Sequence, residues 1–239
     1  MKKLIIASTS TVYGGTYLDY LLPELEKHFS SCKEILFIPY ARPGGISHDD
    51  YTENVRLAFA KINKSVKGLH EFESQSFGTE AAIRNAEGIF TGGGNTFVLV
   101  NELYRNGVME VLADVLNQGT PYLGTSAGSN ITGLTMQTTN DMPIVYPPSF
   151  KTLGLLPFNL NPHYLDADAQ SKHMGETRET RIKEFHEYNR TPVLGLREGS
   201  WLEVNGEEIV LKGNLSACLF RQDEMPTELE TGSDLSWIK

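Results

Sequence analysis

The chain reads as an α/β protein whose mostly parallel central sheet is covered by helices on both faces. Three observations predict this. Short apolar strand candidates alternate with longer segments of helical spacing. Strands separated by helices pair in parallel through right-handed crossovers. Strands such as EILFI, at 34–38, are continuously apolar, as strands buried on both faces are.

The elements follow in order. The start, MKKLIIASTSTVYGG, mimics a secretory signal with its two lysines. Its apolar run covers only Leu4 to Ala7, too short for such a signal, so residues 3–9 are expected to form the first strand. Residues 17–31 show helical spacing, and EILFIPY (34–40) is the second strand. Residues 49–66 read as a helix with Val55, Leu57, Phe59 and Ile62 near one face. GLHEFE (68–73) is read as a strand, followed by a short helix with Thr79 as its N-cap. EGIFTGG (87–93) leads into helices at 96–107 and 108–119, each closed by a glycine. PYLGT (121–125) then runs into AGSNITGL (127–134).

The last third differs. Residues 138–158 are rich in Pro and turn residues and read as a long loop with short strands, a composition that suits a partly mobile lid. A helix is expected at 177–188 and a buried strand at 191–199. Residues 201–213 form a β-hairpin turning at Asn205-Gly206. ACLFR (217–221) is the expected final strand.

The chain has 239 residues, 40% of them hydrophobic, which suits one sizeable α/β domain over residues 1–221. Residues 222–239 carry Glu224, Glu228, Glu230 and Asp234 and read as an acidic, solvated C-terminal extension. The formal net charge is −9 and no Lys/Arg run occurs, so no nucleic-acid partner is expected. An anionic substrate would need a local cation in a pocket. No apolar stretch approaches the roughly 20 residues of a membrane span, so no membrane partner is expected either. Cys32 and Cys218 are expected as buried free thiols, which fits a reducing cytoplasm. The histidines and cysteines show no metal-ligand spacing, and no metal site is expected. Monomer and homodimer both stay open.

In such sheets, sites form at the carboxyl ends of strands, which singles out the loops at 8–16, 40–48, 91–96 and 124–130. The last of these contains Gly124-Thr125-Ser126-Ala127-Gly128, the G-x-S-x-G pattern of a nucleophile elbow, with a strand before it and a helix after it. The flanking glycines are needed because the turn leaves no room for Cβ atoms. The bland alternative is a structural Gly-rich turn. An oxyanion hole would draw on the N–H of Ala127 and on TGGGNT (91–96), whose glycines allow close backbone approach. That loop has neither P-loop nor GxGxxG spacing.

A serine nucleophile needs a base, and six histidines are available. His28 and His186 sit in amphipathic helices and read as surface residues, and His70 lies inside a strand candidate. His48 follows a Gly-rich loop and could reach the site. His163 follows a Pro that fixes its approach, and His173 is its main rival. Glu198 ends a buried strand, where a carboxylate would share the sheet edge with Ser126 and orient the base. An ordinary exposed glutamate is the alternative. The chain order serine, histidine, glutamate differs from the order in α/β-hydrolases, but a triad is defined by geometry.

FTGGGNTF, GTSAGSN, TTNDMPIV, NPHY, GETRETRI and GLREGS, in this order, together resemble peptidase E, the α-aspartyl dipeptidase family. The resemblance runs from the first strand to about residue 221. It implies a three-layer α/β/α fold, flavodoxin-like or class I glutamine amidotransferase-like, with a serine in place of the cysteine nucleophile. It also implies cleavage of dipeptides with N-terminal aspartate, without metal or cofactor. By motif it makes Ser126 the nucleophile, His163 the base and Glu198 the triad acid. It places the oxyanion donors at Gly93, Gly94 and Ala127. It brings in Asp141 and Arg178 as substrate-binding residues.

A dipeptidase for Asp-X must hold an ammonium and a β-carboxylate. Arg178 offers a fork for the carboxylate and Asp141 a counter-charge for the amine. Arg178 would otherwise be a solvated residue in the first turn of a helix, where a cation opposes the macrodipole. Asp141 would otherwise cap a turn. Two other readings stand beside the dipeptidase. One is a cyanophycinase-like hydrolase of aspartate-rich peptides, and the other is a non-catalytic binding module on the same scaffold.

Overall fold

The computed structural model describes residues 1–74, 78–168, 170, 172 and 174–239. Strands β1 (Lys3–Ala7), β2 (Glu34–Ile38), β3 (Ser65–Gly68), β4 (Ile89–Thr91) and β5 (Tyr122–Thr125) pair in parallel. A hairpin of β8 (Ser200–Asn205) and β9 (Glu208–Gly213) adds antiparallel to β1, giving the order β3-β2-β4-β5-β1-β8-β9.

Alternation along these strands builds two cores. Leu4, Ile6, Leu36, Ile38, Ile89 and Tyr122 face one cluster, while Ile5, Ala7, Ile35, Phe37, Phe90 and Leu123 face the other. Helices α1 (Leu22–His28) and α2 (His48–Ala60) cover the second cluster with Leu25, Val55 and Phe59. Helices α3 (Gly78–Arg84), α4 (Thr96–Arg105) and α5 (Met109–Gln118) cover the first with Ile83, Leu99 and Leu112. This is the expected three-layer α/β/α arrangement with its hairpin.

A second sheet was not expected. Strands β6 (Asn159–Pro162), β7 (Val193–Leu196), β10 (Ala217–Phe220) and β11 (Thr227–Leu229) form it in the order β11-β10-β7-β6. One face joins the first core through Leu160, Leu194 and Leu219. The other carries Val193 and Phe220 and packs on Ile182 of helix α7 (Arg178–His186). Strand β6 runs parallel to β7, with Pro162 opposite Leu196.

Several expectations need correction. Leu57 is 63% exposed, because 100° per residue turns it away from Val55 and Phe59. The third strand is Ser65–Gly68, and residues 69–72 wind into a 3₁₀ turn. Thr79 lies inside α3, which begins at Gly78, and is not its N-cap. Among the described residues, 138–158 hold no strand, only an isolated bridge between Thr135 and Lys151. The tail is not a solvated extension. Leu235 and Ile238 are fully buried, and Leu235 N–H donates to Ile209 C=O at 2.7 Å along the free edge of β9. Cys32 and Cys218 are buried free thiols. Among the described residues no helix is long and apolar enough to cross a membrane.

Candidate active site

Ser126 stands between β5 and the short helix α6 (Ala127–Asn130), with φ 53° and ψ −110°. For a non-glycine residue this conformation costs about 1–3 kcal/mol and persists only where its surroundings enforce it. Here they do. Ser126 N–H donates to Ala7 C=O at 3.2 Å, and Ser126 C=O accepts from Asn130 N–H at 2.8 Å. Ser129 Oγ reaches the carbonyls of Ala7 and Gly124 at 2.6 and 2.8 Å, and Tyr122 O–H donates to Gly128 C=O at 2.7 Å. The flanking glycines are sterically required. A Cβ on Gly128 would lie 2.1 Å from Thr91 C=O, and one on Gly124 would lie 2.5 Å from Gly128 C=O.

His163 directly follows β6, and its Nε2 lies 2.9 Å from Ser126 Oγ. Its Nδ1 lies 2.6 Å from Glu198 Oε1. A carboxylate only accepts, so Nδ1 carries the proton and Nε2 is left to accept from the serine hydroxyl. The β6–β7 register explains how the pair meets. Pro162 and Leu196 are opposite each other, so the residue one past Pro162 and the residue two past Leu196 emerge side by side. Glu198 therefore comes from the second sheet and not, as expected, from the edge of the central one. His163 and Glu198 are 37% and 51% exposed at their side chains, so water screens this pair.

Ser8, which sequence reasoning passed over, joins the two sheets. It is fully buried after β1, donates from Oγ to Leu196 C=O at 2.7 Å and accepts from His163 N–H at 2.9 Å. This holds His163 at φ 55°. Ser8 opens the loop 8–16 that the sheet-edge rule had singled out, so a signal for it was present.

The Gly-rich loop packs against the serine. A Cβ on Gly93 would lie 3.0 Å from Ser126 Cβ. Gly94, at φ 145°, presses on the Ala41 carbonyl, where a Cβ would lie 2.2 Å away. Tyr51 O–H donates to Gly93 C=O at 3.2 Å. In a trans peptide the following N–H points the opposite way, so Tyr51 fixes the direction of the Gly94 N–H. Ala127 is the first residue of α6, where its N–H has no acceptor within the helix.

Asp141 sits beside this group. Its Oδ2 accepts from Thr96 N–H and Thr96 Oγ1, both at 2.7 Å, and from Thr139 Oγ1 at 3.0 Å. It thus also tethers the start of α4. Asp141, Asn130, Thr139, Ser126 and His163 line a pocket of about 20 Å³, room for one water-sized group. Asn130 Oδ1 is buried without a partner among the described residues. Arg178 does not line that pocket. It lines a separate cavity of about 400 Å³ with Asp166, Glu176 and Arg181. Burial and the Arg181 charge lower its pKa from the usual arginine range, and the Asp141 charge opposes them.

The other described histidines have structural partners. His28 is buried and bonded through Nε2 to Tyr122 C=O at 3.1 Å, and His186 is buried against Thr191 C=O at 3.0 Å, so neither is a surface residue. His48 meets the rings of Tyr40 and His70 edge to face, and His70 Nε2 lies 2.8 Å from Asp49. His173 lies outside the described residues.

Residues 4–212 match the family model described as Peptidase family S51. The chain is 48% identical over 233 residues to a protein named "Peptidase E" from Streptomyces coelicolor, covering 98% of this chain and 93% of that one. It is 45% identical over 240 residues to a Drosophila melanogaster protein named "Probable alpha-aspartyl dipeptidase", covering 99% and 97%. The fold matches the crystal structure of a peptidase from an acI-B1 Actinobacterium, with a TM-score of 0.73 at 15% identity, covering 99% of this chain and 97% of that one. The chain belongs to peptidase family S51.

Proposed function

We propose that this member of the family is a serine dipeptidase that hydrolyses Asp-X dipeptides through an acyl-enzyme. The observation that carries the reading is the Ser126–His163–Glu198 chain of contacts at 2.9 and 2.6 Å, seated on a strained elbow. His163 Nε2 takes the Ser126 proton as Oγ attacks the peptide carbonyl. Glu198 holds the Nδ1–H tautomer and stabilises the imidazolium. The N–H groups of Ala127 and of the Gly93–Gly94 segment receive the oxyanion. His163 then gives its proton to the departing amine of X. Water, deprotonated by the same imidazole, attacks the aspartyl ester and frees Ser126.

The size and charge of the two cavities support the choice of substrate. The pocket of about 20 Å³ beside Asp141 suits an ammonium group, whose volume is that of a water. A β-carboxylate would then lie toward Arg178, whose guanidinium makes no ion pair among the described residues. A long acidic polymer has no such free amine at most of its residues, which favours the dipeptidase over the cyanophycinase-like reading.

The test is a dipeptide panel varying the first residue, run with the wild type and Arg178→Ala. Wild type is expected to cleave Asp-Leu and to reject Asn-Leu. The variant is expected to lose that preference. A preference for Asp retained in Arg178→Ala would remove Arg178 from substrate recognition, and faster cleavage of longer acidic peptides than of dipeptides would overturn the substrate assignment.

A further inference from the structure

Arg197 and Asp166 sit where sequence reasoning placed no function. Arg197 directly precedes Glu198, and Asp166 follows His163 by three residues. The Arg197 side chain is only 14% exposed. Its Nε and Nη2 donate to the two oxygens of Asp166 at 2.9 and 2.7 Å, a fork-to-fork pair. Its other edge donates to Glu228 from Nη1 and, at 3.3 Å, from Nη2. Nη1 also reaches the Ser216 carbonyl at 3.0 Å, and the guanidinium lies 5.4 Å above the Tyr164 ring.

This network ties together the two loops that carry the base and its carboxylate. The last backbone hydrogen bond between them, among the described residues, runs from Tyr164 N–H to Leu196 C=O at 3.1 Å. Beyond it the Asp166–Arg197 pair holds the loops at a fixed spacing. Glu198 needs that help. It is half exposed, and among the described residues His163 is its one side-chain hydrogen-bond partner. A solvated glutamate held at one end samples many rotamers, so its aim depends on the backbone that presents it. Glu228 belongs to β11, beyond the residues 4–212 that match the family model.

We propose that Arg197 is a positioning residue that fixes the Glu198–His163 geometry by clamping Asp166, and that Glu228 of the C-terminal segment completes the clamp. The clamp rests on the Ser126–His163–Glu198 reading above. It gives the acidic tail a role: Glu228 neutralises and braces the far edge of the guanidinium. Around His163 the charged and titratable groups are Glu198, Asp166, Glu228 and Arg197, with the Tyr164 phenol and Cys218 thiol packed against them, the Tyr20 phenol near Glu198, and Asp141 in the small pocket beside Ser126. Within the clamp one cation faces three carboxylates. Removing it leaves an excess of negative charge that favours the imidazolium.

The experiment measures the rate at which a serine-directed fluorophosphonate modifies Ser126, across pH, alongside kcat and KM for Asp-Leu. The phosphonate step needs only the serine, its base and the carboxylate, so it is independent of the substrate reading. Arg197→Gln is expected to lower both the modification rate and kcat by about 10-fold to 100-fold, with KM changed by no more than about twofold. The acid limb of its pH profile should move to higher pH. Arg197→Lys keeps the charge without the fork and is expected to restore the acid limb but not the rate. Asp166→Asn and Glu228→Gln should lower the rate in the same direction and carry the test if Arg197→Gln does not fold. Variants that match wild type per titrated active site, in rate and in pH profile, would overturn the clamp even if Tm falls. A wild type that the reagent does not modify would instead sink the triad itself.

Discussion

Replacing Glu198 with Gln keeps the size of the side chain and an oxygen that can accept from His163 Nδ1–H, but removes the charge. The loss follows from distance and exposure. The contact is 2.6 Å and the two side chains are 37% and 51% exposed, so water supplies much of the local dielectric. With an effective constant of about 40 to 80, Coulomb's law gives roughly 3.2 to 1.6 kcal/mol for the interaction with the imidazolium. At about 1.4 kcal/mol per decade, kcat should fall between about 15-fold and 200-fold. A buried triad carboxylate would cost far more, since its charge acts in a low dielectric. The assay is initial-rate hydrolysis of Asp-Leu, with KM measured separately because Glu198 acts on the transition state. A fall of less than about threefold would mean that Glu198 is a bystander. A fall beyond about 10⁴-fold would mean that the pair is shielded from water when substrate is bound.

Two further outcomes follow from the structure. Burial, helped by the Lys3 charge, pushes the His28 pKa down from 6.5 to about 3, with the Tyr122 carbonyl opposing. The unfolded chain therefore takes up this proton first, so the stability contribution is complete above about pH 6.5 and is lost as pH falls toward 3. Between pH 7 and pH 5 chemical denaturation should show a loss of about 2 kcal/mol in wild type beyond that in His28→Gln, and identical pH slopes would refute the assignment. Gly93→Ala places a methyl 3.0 Å from Ser126 Cβ at a φ that alanine tolerates. kcat should drop about tenfold with little change in Tm, and unchanged kcat would mean that the loop moves freely around the serine.

Much of the site was legible because it follows strand ends. The apolar runs of β1, β2, β4 and β5 locate four loops at one sheet edge, and three of them supply Ser8, Gly93 and Ser126. The glycines around Ser126 told of a turn with no room for Cβ atoms, and the contacts of Gly124 and Gly128 bear that out. The second sheet was not legible. Strand β6 is NLNP, whose polar residues carry no strand pattern. Its asparagines bond the preceding loop: Asn159 bonds Thr135, and Asn161 Nδ2 donates to Thr138 C=O at 2.8 Å, while Asn161 Oδ1 is buried without a partner among the described residues. Strand β11 is three residues of a polar tail and pairs only because β10 offers it an edge. Without that sheet, spacing alone could not choose between His163 and His173. His28 was misread because α1 has only seven residues, and its last turn reaches back to β5.

The claim at the centre is that Ser126 is the nucleophile of an Asp-X dipeptidase. It is tested most directly by kcat/KM for Asp-Leu in wild type and Ser126→Ala. The alanine removes Oγ and keeps the elbow, whose hydrogen bonds run through the backbone and Ser129. Wild type should turn over Asp-Leu, and the variant should lose at least about 10³-fold while keeping its Tm within a few degrees. Asp-Leu cleavage that persists undiminished in Ser126→Ala would contradict the account.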